Sequence, residues 1–179
     1  HELYAEYKGT RKELDADLCC QFPYIKEFYE SLGAQVIGVV GYEADDVIGT
    51  MARQAQEAGL EVCVVTGDKD TFQLVEDGVC IYYTRRGITD LVRVTDAYLL
   101  EKHGLSAGQW ADNIPGIPGI GEKTATKLLT EFQSLDALLS DPEQIKNEKL
   151  KNLLITHKED AQRWQELTTI RRDVPLPLK

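Results

Sequence analysis

Gly41-Tyr42-Glu43-Ala44-Asp45-Asp46 and Thr66-Gly67-Asp68-Lys69-Asp70 are two short acidic runs, each preceded by an apolar stretch and each opening a segment of helical character. The preceding stretches, Val36-Ile37-Gly38-Val39-Val40 and Val62-Cys63-Val64-Val65, are rich in β-branched residues and predict buried strands. Between them Val47, Ile48, Met51, Ala52 and Ala55 recur at helical spacing, so the unit reads strand, helix, strand. Such a crossover makes the two strands parallel, and open α/β sheets bind ligands beyond the carboxyl ends of their strands. Five carboxylates, Glu43, Asp45, Asp46, Asp68 and Asp70, are therefore expected at one sheet edge.

Like charges held close together repel, so such a set calls for protonation or for cations, and hard divalent ions prefer all-oxygen sites. The competing reading is helix capping: Asp46 and Asp70 would stand in first turns, where a carboxylate meets free backbone amides and the positive end of the macrodipole. Both readings stay open on one run alone; two runs at one expected edge favour metal.

A chain of 179 residues with 42% hydrophobic content buries a proper core and fits one domain or one domain with an appendage. A net charge of −10 and a pI near 4.8 exclude indiscriminate electrostatic attraction to nucleic acid over the whole surface, though not through local basic patches. Cys19, Cys20, Cys63 and Cys80 show no CxxC pair and no zinc spacing with histidine, which suits an intracellular, reducing compartment. No apolar run reaches membrane-spanning length, and no signal peptide opens the chain. The first residue is His1 rather than methionine, so the chain is expected to be a fragment.

The opening twelve residues mix Tyr4 and Tyr7 with Lys8, Arg11 and Lys12, a pattern that composition alone assigns to a solvated helix end in preference to a phosphate contact. Phe22, Ile25, Phe28, Tyr29 and Leu32 predict an amphipathic helix ended by Gly33. After Asp70 come a short helix, a strand over 79–84, a turn at Arg85-Arg86-Gly87 and an antiparallel strand ending at Val94. Thr95 then caps a helix and strands vanish, which places a boundary between an α/β part, 1–94, and an all-helical part, 95–179.

The helical part centres on Asp112-Asn113-Ile114-Pro115-Gly116-Ile117-Pro118-Gly119-Ile120-Gly121-Glu122-Lys123-Thr124-Ala125. A Walker A loop fails because Glu122 intrudes before Lys123-Thr124, and a dinucleotide fingerprint fails because the order is reversed and no strand precedes it. A helix-hairpin-helix fits: Gly119-Ile120-Gly121 would make the turn whose amides hold a DNA phosphate without reading sequence. Ala125, Leu128, Leu129 and Phe132 give the next helix an apolar face and leave Lys123 and Lys127 on the other. The plainer alternative is a turn between packed helices.

Taken in order, EADD, TGDKD, DNIPGIPGIGEKTA and the closing Thr169-Ile170-Arg171-Arg172-Asp173-Val174-Pro175-Leu176 closely resemble the 5′-nuclease domain at the N-terminus of bacterial DNA polymerase I, related to flap endonucleases. The resemblance runs over essentially the whole chain. It implies a PIN-like α/β sheet with flanking helices plus an all-helical helix-hairpin-helix subdomain. It further implies a structure-specific nuclease that hydrolyses DNA at 5′ ends and 5′ flaps in replication and repair, working as a cytoplasmic bacterial monomer, with a covalently linked polymerase domain as a partner the family allows. By position, Glu43, Asp45 and Asp46, then Asp68 and Asp70, then Asp112 would hold two Mg²⁺ or Mn²⁺ ions ~4 Å apart, one activating water and the other stabilising the leaving oxygen. Lys8 would contact the scissile phosphate and Arg11 would add a second basic contact, which replaces the composition-based reading of that segment. Gly119, Gly121, Lys123, Thr124 and Lys127 would grip DNA, with K⁺ held by hairpin carbonyls.

Two departures stand out. The family's first strand, with its metal-binding aspartate and a second one after it, would precede His1, and a segment with a further carboxylate is expected between Trp110 and Asp112, where this chain has only Ala111. Two rivals come from other classes: a DNA-binding protein without catalysis, and a phosphatase of haloacid-dehalogenase type, which lacks its Asp-x-Asp motif here.

Overall fold

The structure is a computed structural model and describes residues 14–87, 89–112 and 117–176. It divides into two compact units, His1–Tyr42 and Glu43–Lys179.

In the first unit, α1 (Ala16–Cys19) is capped by the Asp15 carboxylate, which accepts the Asp17 N–H at 2.8 Å. The expected amphipathic helix forms as α2 (Phe22–Ser31). It ends in a Schellman motif: Gly33 adopts φ +78°, its N–H donates to Glu30 O, and the Ala34 N–H reaches back to Tyr29 O. The expected strand over 36–40 does not form. Residues 34–39 adopt no regular secondary structure, and Val40 is fully exposed. A β-branched run fits a pleated surface, but only pairing makes it a strand, and propensity does not supply a partner.

The second unit holds a three-stranded sheet, β1 (Val62–Thr66), β2 (Val79–Thr84) and β3 (Leu91–Val94), in that spatial order among the described residues. β1 and β2 are parallel, and β3 returns antiparallel to β2 with Ile81 opposite Val94. The parallel crossover is therefore the one after β1, through a 3₁₀ segment at Lys69–Leu74, and not the expected one before it. Helix α3 (Ala44–Glu57) packs on β1 and on the 3₁₀ segment. Its buried residues include Val47 and Ala52, as the periodicity predicts, and also Gly49 and Thr50, which hydrophobicity does not flag. Val64, Phe72, Leu74, Ile81, Val94 and Leu99 fill this core.

Thr95 caps α4 (Asp96–His103) by accepting the Tyr98 N–H at 3.3 Å, and Gly104 ends it at φ +71°. The rest is helical: α5 (Glu122–Phe132), α6 (Leu135–Ser140), α7 (Glu148–Thr156) and α8 (Lys158–Thr168) enclose a second core around Leu129, Leu135, Leu138 and Leu154. The backbone passes from Trp110 through Ala111 directly to Asp112, and Trp110 N–H closes a turn on Ala107 O.

Residues 168–174 form a strap from the end of α8 back across α3 and the 3₁₀ segment. Ile170 and Val174 are buried. The Val174 N–H donates to Thr50 Oγ1 at 3.1 Å, Arg53 Nε donates to Arg172 O at 2.7 Å, and the Ile170 N–H donates to Gln73 Oε1 at 2.8 Å. The strap lies close because residue 49 is glycine: a Cβ there would stand 2.7 Å from Ile170 Cγ2 and 3.0 Å from Arg171 O.

Candidate functional site

The first acidic run is built into the N-terminus of α3. Glu43 is the N-cap, and Asp46 at N3 accepts its N–H on Oδ2 at 3.2 Å in a capping box. The other oxygen of Asp46, Oδ1, accepts the Arg171 N–H of the strap at 2.9 Å. The second run opens the 3₁₀ segment. Asp68 accepts the Asp70 N–H at 3.0 Å, and its own N–H donates to Thr66 Oγ1 at the end of β1. Gln73 joins the two: its amide donates to Asp70 O and Thr168 O, both at 2.9 Å, while its oxygen holds Ile170. The strap therefore bridges the two acidic starts, a link that no local pattern announces.

Helix capping accounts for Asp46 and Asp68 as they stand. Oxygen donors of this kind suit a hard cation. Yet among the described residues no three of His, Cys, Asp and Glu come together as a metal-holding group.

Asp112 is turned to another task. It is buried, its Oδ2 accepts the Leu135 N–H at the start of α6 at 3.1 Å, and its Oδ1 accepts the Gln165 amide of α8 at 2.6 Å. A buried carboxylate requires such partners, and these two direct it into the helical core. Asn113 to Gly116, like Lys8 and Arg11, lie outside the described residues.

The glycine turn is described from Ile117 onward. Ile117 and Ile120 are buried, and the Ile120 N–H closes on Ile117 O at 3.0 Å. Gly119 sits at φ +92°, which favours glycine, with Leu153 Cδ1 3.3 Å from where a Cβ would be. Gly121 is the N-cap of α5, without a side chain to cap the first amides. Ala125, Leu128 and Leu129 are buried and Phe132 packs beside them, as the periodicity predicts; Lys123 and Lys127 are exposed one helical turn apart, and Thr124 is half-buried. On the N-terminal side the described residues supply only a 3₁₀ turn at Ala107–Gln109, whose Gln109 amide donates to Leu129 O and Gln133 O at the far end of α5.

An aromatic group stands beside the second acidic run. Phe72 packs against Tyr83 and Trp110 with ring centroids 5.2 and 5.0 Å apart, and Trp110 against His103 at 5.1 Å. Burial lowers the His103 pKa, Lys69 lowers it further, and Glu122 opposes both. His103 has no ligand spacing with another histidine or cysteine in the sequence; packing alone brings it within reach of Lys69 and Glu122.

Two family models match the chain: a 5′-3′ exonuclease N-terminal resolvase-like domain over residues 1–104, and a 5′-3′ exonuclease C-terminal SAM fold over residues 97–179. The chain belongs to the 5′-3′ exonuclease family. The DNA polymerase I of Bacillus caldotenax is 42% identical over 188 aligned positions that take in 99% of this chain and 21% of that protein. This member of the 5′-3′ exonuclease family thus spans about a fifth of the length of its curated relatives. Among solved structures, the T5 D15 protein co-crystallised with metal ions aligns with a TM-score of 0.76 at 20% identity, covering 93% of this chain and 68% of that one. A complex of the bacteriophage T5 D15 flap endonuclease with DNA and metal ions aligns at 0.71 and 21% identity, covering 91% and 64%. At such identities the likeness is one of fold, and it bears out a PIN-like nuclease sheet with flanking helices and a helical subdomain. No helix among the described residues is long and apolar enough to cross a membrane.

Proposed function

We propose that this chain is the 5′-nuclease part of a longer DNA polymerase I, hydrolysing phosphodiesters at 5′ ends and 5′ flaps of DNA during primer and flap removal in the bacterial cytoplasm. The observation that carries this is the match of both halves of the chain to the two parts of one exonuclease family, in the order in which the acidic runs and the glycine turn occur. The turn and the start of α5 would hold a phosphate through the Glu122 and Lys123 amides, with the Lys123 and Lys127 side chains on neighbouring phosphates and Thr124 beside them. Contacts of this kind fix a duplex in register without reading its sequence. Lys8 and Arg11 would meet the scissile phosphate, where positive charge opposes the charge that develops in the transition state.

Divalent metal belongs to this reading, with Glu43, Asp45, Asp46, Asp68 and Asp70 as the oxygen donors, two Mg²⁺ or Mn²⁺ ions as the occupants, and K⁺ at the hairpin carbonyls. Asp112 is the weakest member of the donor set, since both its oxygens already serve α6 and α8. The glycine turn with its exposed Lys123 and Lys127 would by itself serve a second reading, a DNA-binding member of the family without catalysis. Incubation of the chain with a 5′-flap duplex and Mg²⁺, beside an Asp68→Asn variant, separates the two. Cleavage by the wild type and its loss in the variant supports the nuclease; tight binding with no cleavage by either leaves only the binding protein.

A further inference from the structure

Cys63 and Cys80 are ladder partners in the parallel pair β1–β2. The next pair along, Val64 and Ile81, points into the core under α3, so the two cysteines share the opposite face of the sheet. Both are free thiols; Cys63 is exposed and Cys80 is half-buried. Arg93 of β3, opposite Tyr82, lies on this same face, and its guanidinium is within electrostatic reach of both Cys80 and Cys63. Cys80 and Arg93 also line a cleft of about 680 Å³ with Glu61, Gly78 and Asp96, which admits a small reagent to the less exposed sulfur.

We propose that Cys63 and Cys80 form a thiol–disulfide exchange site on this sheet face, oxidised reversibly by a small-molecule disulfide. The Cys80 thiolate, held beside the Arg93 guanidinium, attacks one sulfur of the reagent RSSR and releases RS⁻, which takes a proton to become RSH. Cys63, deprotonated, then attacks the Cys80 sulfur of the mixed disulfide and releases the second RSH. Two protein thiols are thereby oxidised and one reagent disulfide is reduced. Neighbouring strands lie ~4.8 Å apart, within the ~4.4–6.8 Å Cα separation that a disulfide spans. In a parallel pair the Cβ atoms stand about as far apart as the Cα atoms, beyond the ~3.5–4.5 Å of a relaxed bridge, so the bond formed is strained and readily reduced. Partial desolvation and the neighbouring Cys80 raise the Cys63 pKa, while Arg93 lowers it.

The test uses oxidised glutathione on a Cys19→Ser/Cys20→Ser chain, whose remaining thiols are Cys63 and Cys80. The expected product has lost both titratable thiols, is lighter by two hydrogens, carries no glutathione, and recovers fully with dithiothreitol. In a Cys63→Ser chain the reaction stops at a glutathione adduct on Cys80, and Arg93→Gln slows the first step several-fold. Peptide mapping of the oxidised wild-type chain gives the same cross-link independently of the serine variants. Unreacted thiols, or two glutathione adducts without an internal bond, overturn the proposal.

Discussion

Gly49→Ala separates a seated strap from a loose one, because the two cases predict opposite signs. In an exposed helix interior, alanine in place of glycine stabilises by ~1 kcal/mol through reduced backbone entropy and better helix propensity. At position 49 the new methyl would stand 2.7 Å from Ile170 Cγ2, 3.0 Å from Arg171 O and 3.3 Å from Leu74 Cδ2. A carbonyl and a β-branched side chain cannot swing aside as a flexible chain end can, and overpacking of this kind costs ~1–3 kcal/mol. Moving the strap instead would stretch the Arg171 N–H bond to Asp46 and the Val174 N–H bond to Thr50. The net expectation is destabilisation by about 1 kcal/mol, seen as a lower urea midpoint at unchanged slope and a melting temperature ~2–4 °C lower. Adding Ile170→Ala removes the shortest contact, so the two substitutions should couple by roughly 1 kcal/mol or more in a double-mutant cycle. A Gly49→Ala chain more stable than the parent by about 1 kcal/mol, the value for an exposed helical glycine, would refute the seating of residues 168–174 on α3.

Three further outcomes follow from the geometry. Asp112→Ala strands the Leu135 N–H and the Gln165 amide and should cost ~1–3 kcal/mol in urea unfolding, while Asp112→Asn, which keeps one acceptor oxygen, costs less; an unmoved midpoint in the alanine variant would mean that the carboxylate is not structural. The folded state holds His103 at a lowered pKa, so it binds fewer protons than the unfolded chain: stability should be unaffected above pH ~6.5, fall as pH drops through that value, and level off below the folded pKa, with the slope flattened in a His103→Gln chain measured alongside. Lys123→Ala and Lys127→Ala should weaken duplex binding regardless of sequence and each reduce the dependence of log K on log salt by ~0.9; an unchanged slope would remove them from the phosphate contacts.

Much of the local architecture was legible in the chain itself. Alternating and continuous apolar runs located β1, β2 and β3, Gly33 marked the end of α2, Thr95 marked the start of α4, and the spacing of Ala125, Leu128 and Leu129 gave the buried side of α5. These features depend on backbone sterics and on which side of one element meets the core, and both are written in neighbouring residues. The acidic runs were legible as helix starts for the same reason.

Tertiary structure alone decided the rest. Whether Val36 to Val40 becomes a strand depends on a partner, which the described sheet does not provide. The carboxylate of Asp46 meets the backbone N–H of Arg171, 125 residues away, and a backbone donor has no side-chain signature for a sequence to display. Asp112 reads as a metal ligand by motif, yet its oxygens are engaged by Leu135 and Gln165, because a buried charge binds the donors that packing brings nearest. Nothing in their own strands sets Cys63 and Cys80 apart; they become neighbours only through the register of a parallel ladder, which local pattern leaves open and the crossover through Lys69–Leu74 sets.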